Sequence, residues 1–282
     1  MIRNKFLIIP IILSTLVGCS TTEKKETSLA PENNEATQQV SVSAATSGDE
    51  SSKPIIEDKA FSILKKMSDT LSSSEAYSFN GYAIQEQVLQ TGQKLQYDTT
   101  FSVKMQRPNK LFFNRNSGAT KKIFWYSGTQ LTLLDPEYNF YATMKTPDNI
   151  EDMLDFIMDT YEINIPLSDF AFKDLLFILT NNVNTGFYVA ETKINGEKTH
   201  HLAFQQEGLD WQIWINAEGP AVPKKFVITY KNLKSSPQFI TFFKDWDLSP
   251  RFKSNAFDSQ IPKDAVKIKF HSKKQPLEES AQ

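Results

Sequence analysis

Tyr97-Asp98-Thr99-Thr100-Phe101-Ser102-Val103-Lys104-Met105-Gln106 alternates without a break. In an extended chain Tyr97, Thr99, Phe101, Val103 and Met105 share one side, and Asp98, Thr100, Ser102, Lys104 and Gln106 the other. One row suits a core and the other suits water, the pattern of an antiparallel strand wet on one face. Strand-like runs continue on both sides: Tyr77–Leu89 before it, then Lys110–Asn114, Lys122–Tyr126, Gln130–Leu134 and Tyr138–Thr143. Phe187–Ile194, Thr199–Gln205, Trp211–Ile215, Lys225–Tyr230 and Gln238–Trp246 follow later. Thr91-Gly92-Gln93, Ser127-Gly128-Thr129, Asp135-Pro136-Glu137 and Asn195-Gly196-Glu197 supply the turns between neighbours. About eleven meandering strands predict one wide antiparallel sheet, and a sheet of that width curls or closes.

Two helical stretches break the pattern. Ala60, Ile63, Leu64, Met67 and Leu71 recur at helical spacing ahead of the first strand and predict an N-terminal amphipathic helix. The second stretch interrupts the strands. Thr146-Pro147-Asp148 offers a cap, a first-turn proline and an acid at the positive helix end. Ile150, Met153, Leu154, Ile157, Met158 and Tyr161 then mark one helix face, and Pro166 ends it. Phe170 to Leu179 is apolar nearly all round, which predicts a helix buried on every side. The expected fold is therefore mainly β with helices (α+β): a curved, unclosed antiparallel barrel with an N-terminal helix and a helical lid. Its candidate cavity has Phe101, Val103 and Met105 as floor, with Met153, Leu154, Ile157, Phe172 and Leu176 above and Trp211 and Ile213 beside them.

The chain begins differently. Arg3 and Lys5 precede an apolar core, Phe6 to Leu13, and Leu16-Val17-Gly18-Cys19 follows. A basic start, a short apolar run and small residues before a cut predict an export signal over residues 1–18. Leu16 and Gly18 before Cys19 resemble the lipobox of bacterial lipoproteins. That resemblance implies a lipidated Cys19, and Ser20, in place of the aspartate that marks inner-membrane retention, implies the periplasmic side of the outer membrane. An ordinary secretory signal with a chance cysteine is the bland alternative. Several acyl chains, at about 0.8 kcal/mol per buried CH₂, would make such anchoring stable. Residues 20–57 contain no aromatic side chain and bury too little to offset their ordering entropy. They are expected to be a flexible tether spanning on the order of 35 Å. The folded domain is expected over residues 58–270, with a polar tail at 271–282.

Charge and side-chain chemistry exclude several classes. The formal net charge is −2 and becomes more negative without Arg3 and Lys5, so no case for nucleic acid arises. Cys19 is the single cysteine, which leaves no disulfide and no thiolate metal site. His200-His201 would point to opposite faces of a strand, so they read as structural rather than as ligands of one ion. Asp210 and Asp245 read as surface charge. No Gly-x-Ser-x-Gly elbow, Gly-rich phosphate loop or His-Glu-x-x-His helix occurs, so neither enzyme nor cofactor is expected. Trp214, on the face opposite Trp211, Ile213 and Ile215, reads as a local packing lid, or, if exposed, as part of a partner patch.

Several runs together carry a resemblance: Ala60-Phe61-Ser62-Ile63-Leu64-Lys65-Lys66-Met67, Gln106-Arg107-Pro108-Asn109-Lys110-Leu111 and Leu133-Leu134-Asp135-Pro136. His200-His201-Leu202-Ala203-Phe204, Asp210-Trp211-Gln212-Ile213-Trp214-Ile215 and Asp245-Trp246-Asp247-Leu248-Ser249-Pro250 extend it. They resemble, over roughly residues 58–260, a family of predicted periplasmic proteins of unknown function. The Arg107-Pro108-Asn109-Lys110-Leu111 run also resembles the start of a strand in LolA/LolB-type lipoprotein carriers, whose unclosed barrel has a helical lid. The resemblance bears on fold more than on function, and no carrier residue is transferred. The expectation is a membrane-anchored binding protein that holds an acyl chain, lipid or lipoprotein between sheet and lid. An envelope assembly or sensing factor that binds a protein through exposed aromatics is the alternative.

Overall fold

All eleven expected runs form strands in the computed structural model, which describes residues 54–118 and 120–270. Cys19, the tether up to residue 53, His271 and the polar tail lie outside the described residues. The chain enters as β1 (Ile55–Ile56), which pairs in parallel with β8 (Val183–Ile194). The expected tether is thus shortened at its end. Glu57 donates its backbone N–H to the Gly186 carbonyl at 2.8 Å, and its carboxylate accepts the Tyr188 N–H at 2.8 Å. Helix α1 (Asp58–Ser72) follows, burying Ala60, Leu64, Met67 and Leu71 at helical spacing.

The strands form two meanders. The first is β2 (Ala76–Val88), β3 (Lys94–Gln106), β4 (Lys110–Asn116), β5 (Lys121–Ser127), β6 (Gln130–Asp135) and β7 (Phe140–Lys145). The second is β8, β9 (Glu197–Gln206), β10 (Leu209–Asn216), β11 (Pro223–Tyr230) and β12 (Gln238–Asp247). At the turn between β8 and β9, Asn195 and Gly196 both take positive φ, 51° and 85°, as a two-residue hairpin loop demands. Pairing of β12 with β2 joins the meanders into one 13-stranded sheet, which β13 (Val266–Lys267) completes in parallel with β7. The two ends of the sheet, β1 and β13, do not pair, so the barrel stays unclosed.

This order decides where the helices go. Strands β7 and β8 are consecutive in sequence but lie near opposite edges of the sheet. Their connection, residues 146–182, must therefore bridge from one edge to the other. It does so over the apolar face, where Ile150, Met153, Leu154, Ile157, Phe170 and Leu175 join one core with the sheet. The connection holds α2 (Ile150–Tyr161), a 3-10 turn at Ser168–Ala171 and the short α3 (Leu175–Thr180).

Two expectations change here. Asn149, rather than Thr146, caps α2, accepting the Asp152 N–H at 2.9 Å. The segment from Phe170 to Leu179 is not one helix buried on every side. It is a 3-10 turn followed by a six-residue helix on α1, and Phe177 is 51% exposed. Polar anchors hold α3 at the surface: Leu176 donates its N–H to Ser68 Oγ at 3.0 Å, and Ser72 Oγ donates to the Lys173 carbonyl at 2.5 Å.

Candidate functional site

The floor of the site is the row that alternation selected. Phe101 and Val103 of β3 share the apolar face with Tyr77 and Phe79 of β2 and Leu111 and Phe113 of β4. Phe101 lies flat against the sheet because its β2 neighbour is Gly81. A Cβ there would come within 2.1 Å of the ring. Phe79 meets Phe101 edge-on at 6.2 Å, and Phe113 lies 6.3 Å from it on the other side.

The lid covers this floor with Leu154 of α2, the Ile165–Pro166–Leu167 stretch, and the 3-10 turn. Glu162 before this stretch and Leu167 at its end have left-handed backbone, φ 55° and 65°. Such conformations cost a branched residue such as Leu on the order of 1 kcal/mol. Hydrogen bonds to side chains and turns of the sheet tie the lid down. Tyr77 donates its hydroxyl to the Phe170 carbonyl at 2.7 Å, and Arg107 Nη1 donates to the Ala171 carbonyl at 2.9 Å. At the near end, Tyr126 donates to the Pro147 carbonyl at 2.8 Å and Ile150 N–H to the Pro108 carbonyl at 2.9 Å. The Phe170 ring meets Phe226 and Phe243 edge-on at 5.8 and 5.6 Å.

Between lid and floor the cavity measures about 30 Å³. That is room for about two waters, far too little for an acyl chain. Of the residues singled out from sequence, Phe101, Val103 and Leu154 line this space. Met105, Met153, Ile157, Phe172, Trp211 and Ile213 are buried in the surrounding core, and Leu176 packs against that core from α3. Trp211 stacks on Phe204 at 4.0 Å, and that ring in turn occupies the space over Gly186. Tyr77, Phe79, Leu111, Phe113, Ile165, Phe170 and Ala171 complete the wall without having been singled out. Phe79 and Phe113 were open to discovery from register alone: they pair with Val103 across β2 and β4.

Burial perturbs ionisable groups in the lid and beneath it. Desolvation pushes the Asp169 carboxyl up to about 6, with its own backbone N–H opposing the shift. Burial, and then the charge of Asp169, push the Tyr230 phenol up to about 12. Desolvation also raises the Tyr77 phenol, against the opposing charge of Arg107.

The histidines do separate, as the strand geometry requires. His200 sits opposite Ile215 on the apolar face, its ring 5.9 Å from Tyr188. His201, on the other face, stacks on Trp214 at 4.0 Å and hydrogen-bonds Gln212 Oε1 at 2.9 Å. Trp214 is buried by this stack and by Lys225, whose ammonium lies 4.5 Å from its ring. Asp210 pairs with Lys231 at 2.6 Å, and Asp245 accepts from Asn80 at 3.0 Å.

With this geometry in hand, the family model described as "Predicted periplasmic protein (DUF2092)" matches residues 60–271. The chain belongs to the DUF2092 family. No curated protein matches it. Among solved structures, an uncharacterized conserved protein from Thermus thermophilus is similar at 9% identity and TM-score 0.43, covering 75% of this chain and 99% of that one. LprF from Mycobacterium bovis follows at 12% identity and TM-score 0.41, with 74% and 98% covered. The LolA superfamily protein NE2245 from Nitrosomonas europaea is similar at 11% identity and TM-score 0.32, with 71% and 97% covered. Likeness at this level assigns this DUF2092 member no ligand and no partner.

Proposed function

We propose that this chain is a periplasmic binding protein, not an enzyme, anchored by lipid at Cys19 to the outer membrane. It holds an acyl chain, a lipid or a lipoprotein's lipid between the apolar sheet face and the lid of residues 146–182. One observation carries the reading: a connection forced to cross the mouth of an unclosed sheet lies on an aromatic floor, with an apolar cavity between the two. The 30 Å³ cavity means the closed lid leaves no room, so ligand entry requires residues 150–171 to lift. Affinity would then follow apolar area removed from water, at about 25 cal/mol per Å². The export signal and the membership in a family of predicted periplasmic proteins support the compartment.

The test is acyl labelling in cells followed by solvent extraction and mass spectrometry of the purified protein. The expected outcome is label lost in Cys19→Ser, together with a stoichiometric apolar molecule in the extract. Label that persists in Cys19→Ser would refute the anchor. An empty extract, with no uptake of any fluorescent fatty acid, would refute the binding reading. In that case a protein partner becomes the better reading, favoured by Phe187, 50% exposed, and its exposed neighbour Val189 on β8.

A further inference from the structure

Arg107 follows the last residue of β3 and continues the alternation of Phe101, Val103 and Met105, which places it at one end of the aromatic floor. It is 9% exposed. Nη1 is used by the Ala171 carbonyl, while Nε and Nη2 are buried with no hydrogen-bond partner. No carboxylate among the described residues forms an ion pair with it. Arginine does not lose its proton in proteins, so a full positive charge sits here without a counter-ion. A buried ion without a counter-ion is strongly unfavourable, so donors left unused here call for a partner.

The geometry of the free donors narrows that use. Nε–H and the adjacent Nη2–H form one edge of the guanidinium fork, the edge that meets two oxygens of a carboxylate or phosphate side by side. Arg107 stands just behind the cavity wall, joined to it through the residue that takes Nη1. Ala171, which takes the third donor, lines the cavity, as does Tyr77, whose hydroxyl holds the adjacent carbonyl of Phe170. The rest of the wall is apolar, with Phe79, Phe101, Val103 and Phe113 on the floor.

We propose that the Nε–Nη2 edge of Arg107 receives the anionic head, carboxylate or phosphate, of an acyl ligand whose tail lies over Phe101 and Val103. The proposal rests on the binding reading above and gives it a ligand class: anionic amphiphiles rather than neutral lipids. The tail takes the space that Leu154, Ile165 and Phe170 occupy in the closed form.

Equilibrium binding of radiolabelled tridecanoate, dodecyl phosphate and dodecanol to the purified protein at neutral pH tests this, because each head is carried on the same twelve-carbon tail. One or both anions should bind at least about tenfold more tightly than the alcohol, the scale of one charge-assisted bidentate contact. The tighter anion identifies the head. Arg107→Met should erase the preference for the anions over dodecanol, whatever its effect on the affinity for all three, and Arg107→Lys should keep part of it. Equal binding of all three probes to the unaltered protein would overturn the proposal and leave the binding reading standing. Binding of none of them would overturn both. Because the decisive comparison uses the unaltered protein, a folding defect in either variant cannot decide the outcome.

Discussion

Gly81→Ala would place a methyl where the Phe101 ring now lies. The new Cβ would sit 2.1 Å from Cζ and 2.5 and 2.7 Å from the two Cε atoms. Ordinary contact begins near 3.4 Å, so the ring must withdraw by more than an ångström. It has little room to do so. Phe79 stands edge-on at 6.2 Å, Phe113 lies at 6.3 Å, and the cavity above holds about 30 Å³. Overpacking of this kind costs about 1–3 kcal/mol, while replacing a mid-strand glycine by alanine returns about 0.5–1 kcal/mol. The net expected loss is about 1–2 kcal/mol, or a Tm lower by about 2–8 °C for a domain of this size. The decisive control is the same substitution in a Phe101→Leu background, where the smaller side chain clears the new Cβ. There Gly81→Ala should be neutral or slightly stabilising, a coupling of about 1–3 kcal/mol between the two positions. Urea denaturation of the four proteins measures the cycle. An equal cost in both backgrounds would refute the argument that Phe101 lies in a space reserved by Gly81.

Two more outcomes follow from the lid. Tyr77→Phe removes the only side-chain donor to the Phe170 carbonyl among the described residues, at a cost of about 1–2 kcal/mol. Native-state hydrogen exchange should therefore speed up about 5–30-fold for amides of residues 150–171 relative to those of β2 and β3; uniform acceleration would show that the bond secures the whole fold and not the lid. Asp169 binds its proton more tightly when folded, at about 6, than a free carboxyl does near 4, because the lid desolvates it. Between those values the native state holds more protons, so the contribution of Asp169 to stability is fully present below about pH 4 and is lost as pH rises through about 6. Asp169→Asn should flatten that slope and raise stability at neutral pH by on the order of 1–2 kcal/mol; an unchanged slope across pH 4–6 would place the origin of any pH dependence elsewhere.

Strand identity was legible because it is local. Alternation from Tyr97 to Gln106, and a turn such as Asn195-Gly196, depend only on neighbouring residues, and each of the eleven runs became a strand. The separation of His200 from His201 is equally local, since adjacent strand residues cannot share a face. The place of the lid was legible only in outline. Helical residues between two sets of strands are visible in sequence, but the reason they cross the mouth is not. That reason is the pairing of β12 with β2, which sends β7 and β8 toward opposite edges.

The reading went astray where burial depends on distant partners. Phe170 to Leu179 has the composition of a core helix, yet Ser68 and Ser72 of α1 hold α3 at the surface and leave Phe177 exposed. Trp211 and Ile213 stand on the correct face but join the core beside Phe204 and Phe226 rather than the cavity wall. Arg107 is the sharpest case. In sequence it is one more basic residue before a proline. Only the fold carries Ala171 to its Nη1 from 64 residues away and closes off water from the two nitrogens that remain. Periodicity, set by the geometry of one strand or helix turn, determined the elements and their faces. Strand order and the desolvation of single side chains arise from contacts far apart in the chain, so the tertiary structure alone decided where a cavity forms and which side chain is buried beside it with donors unused.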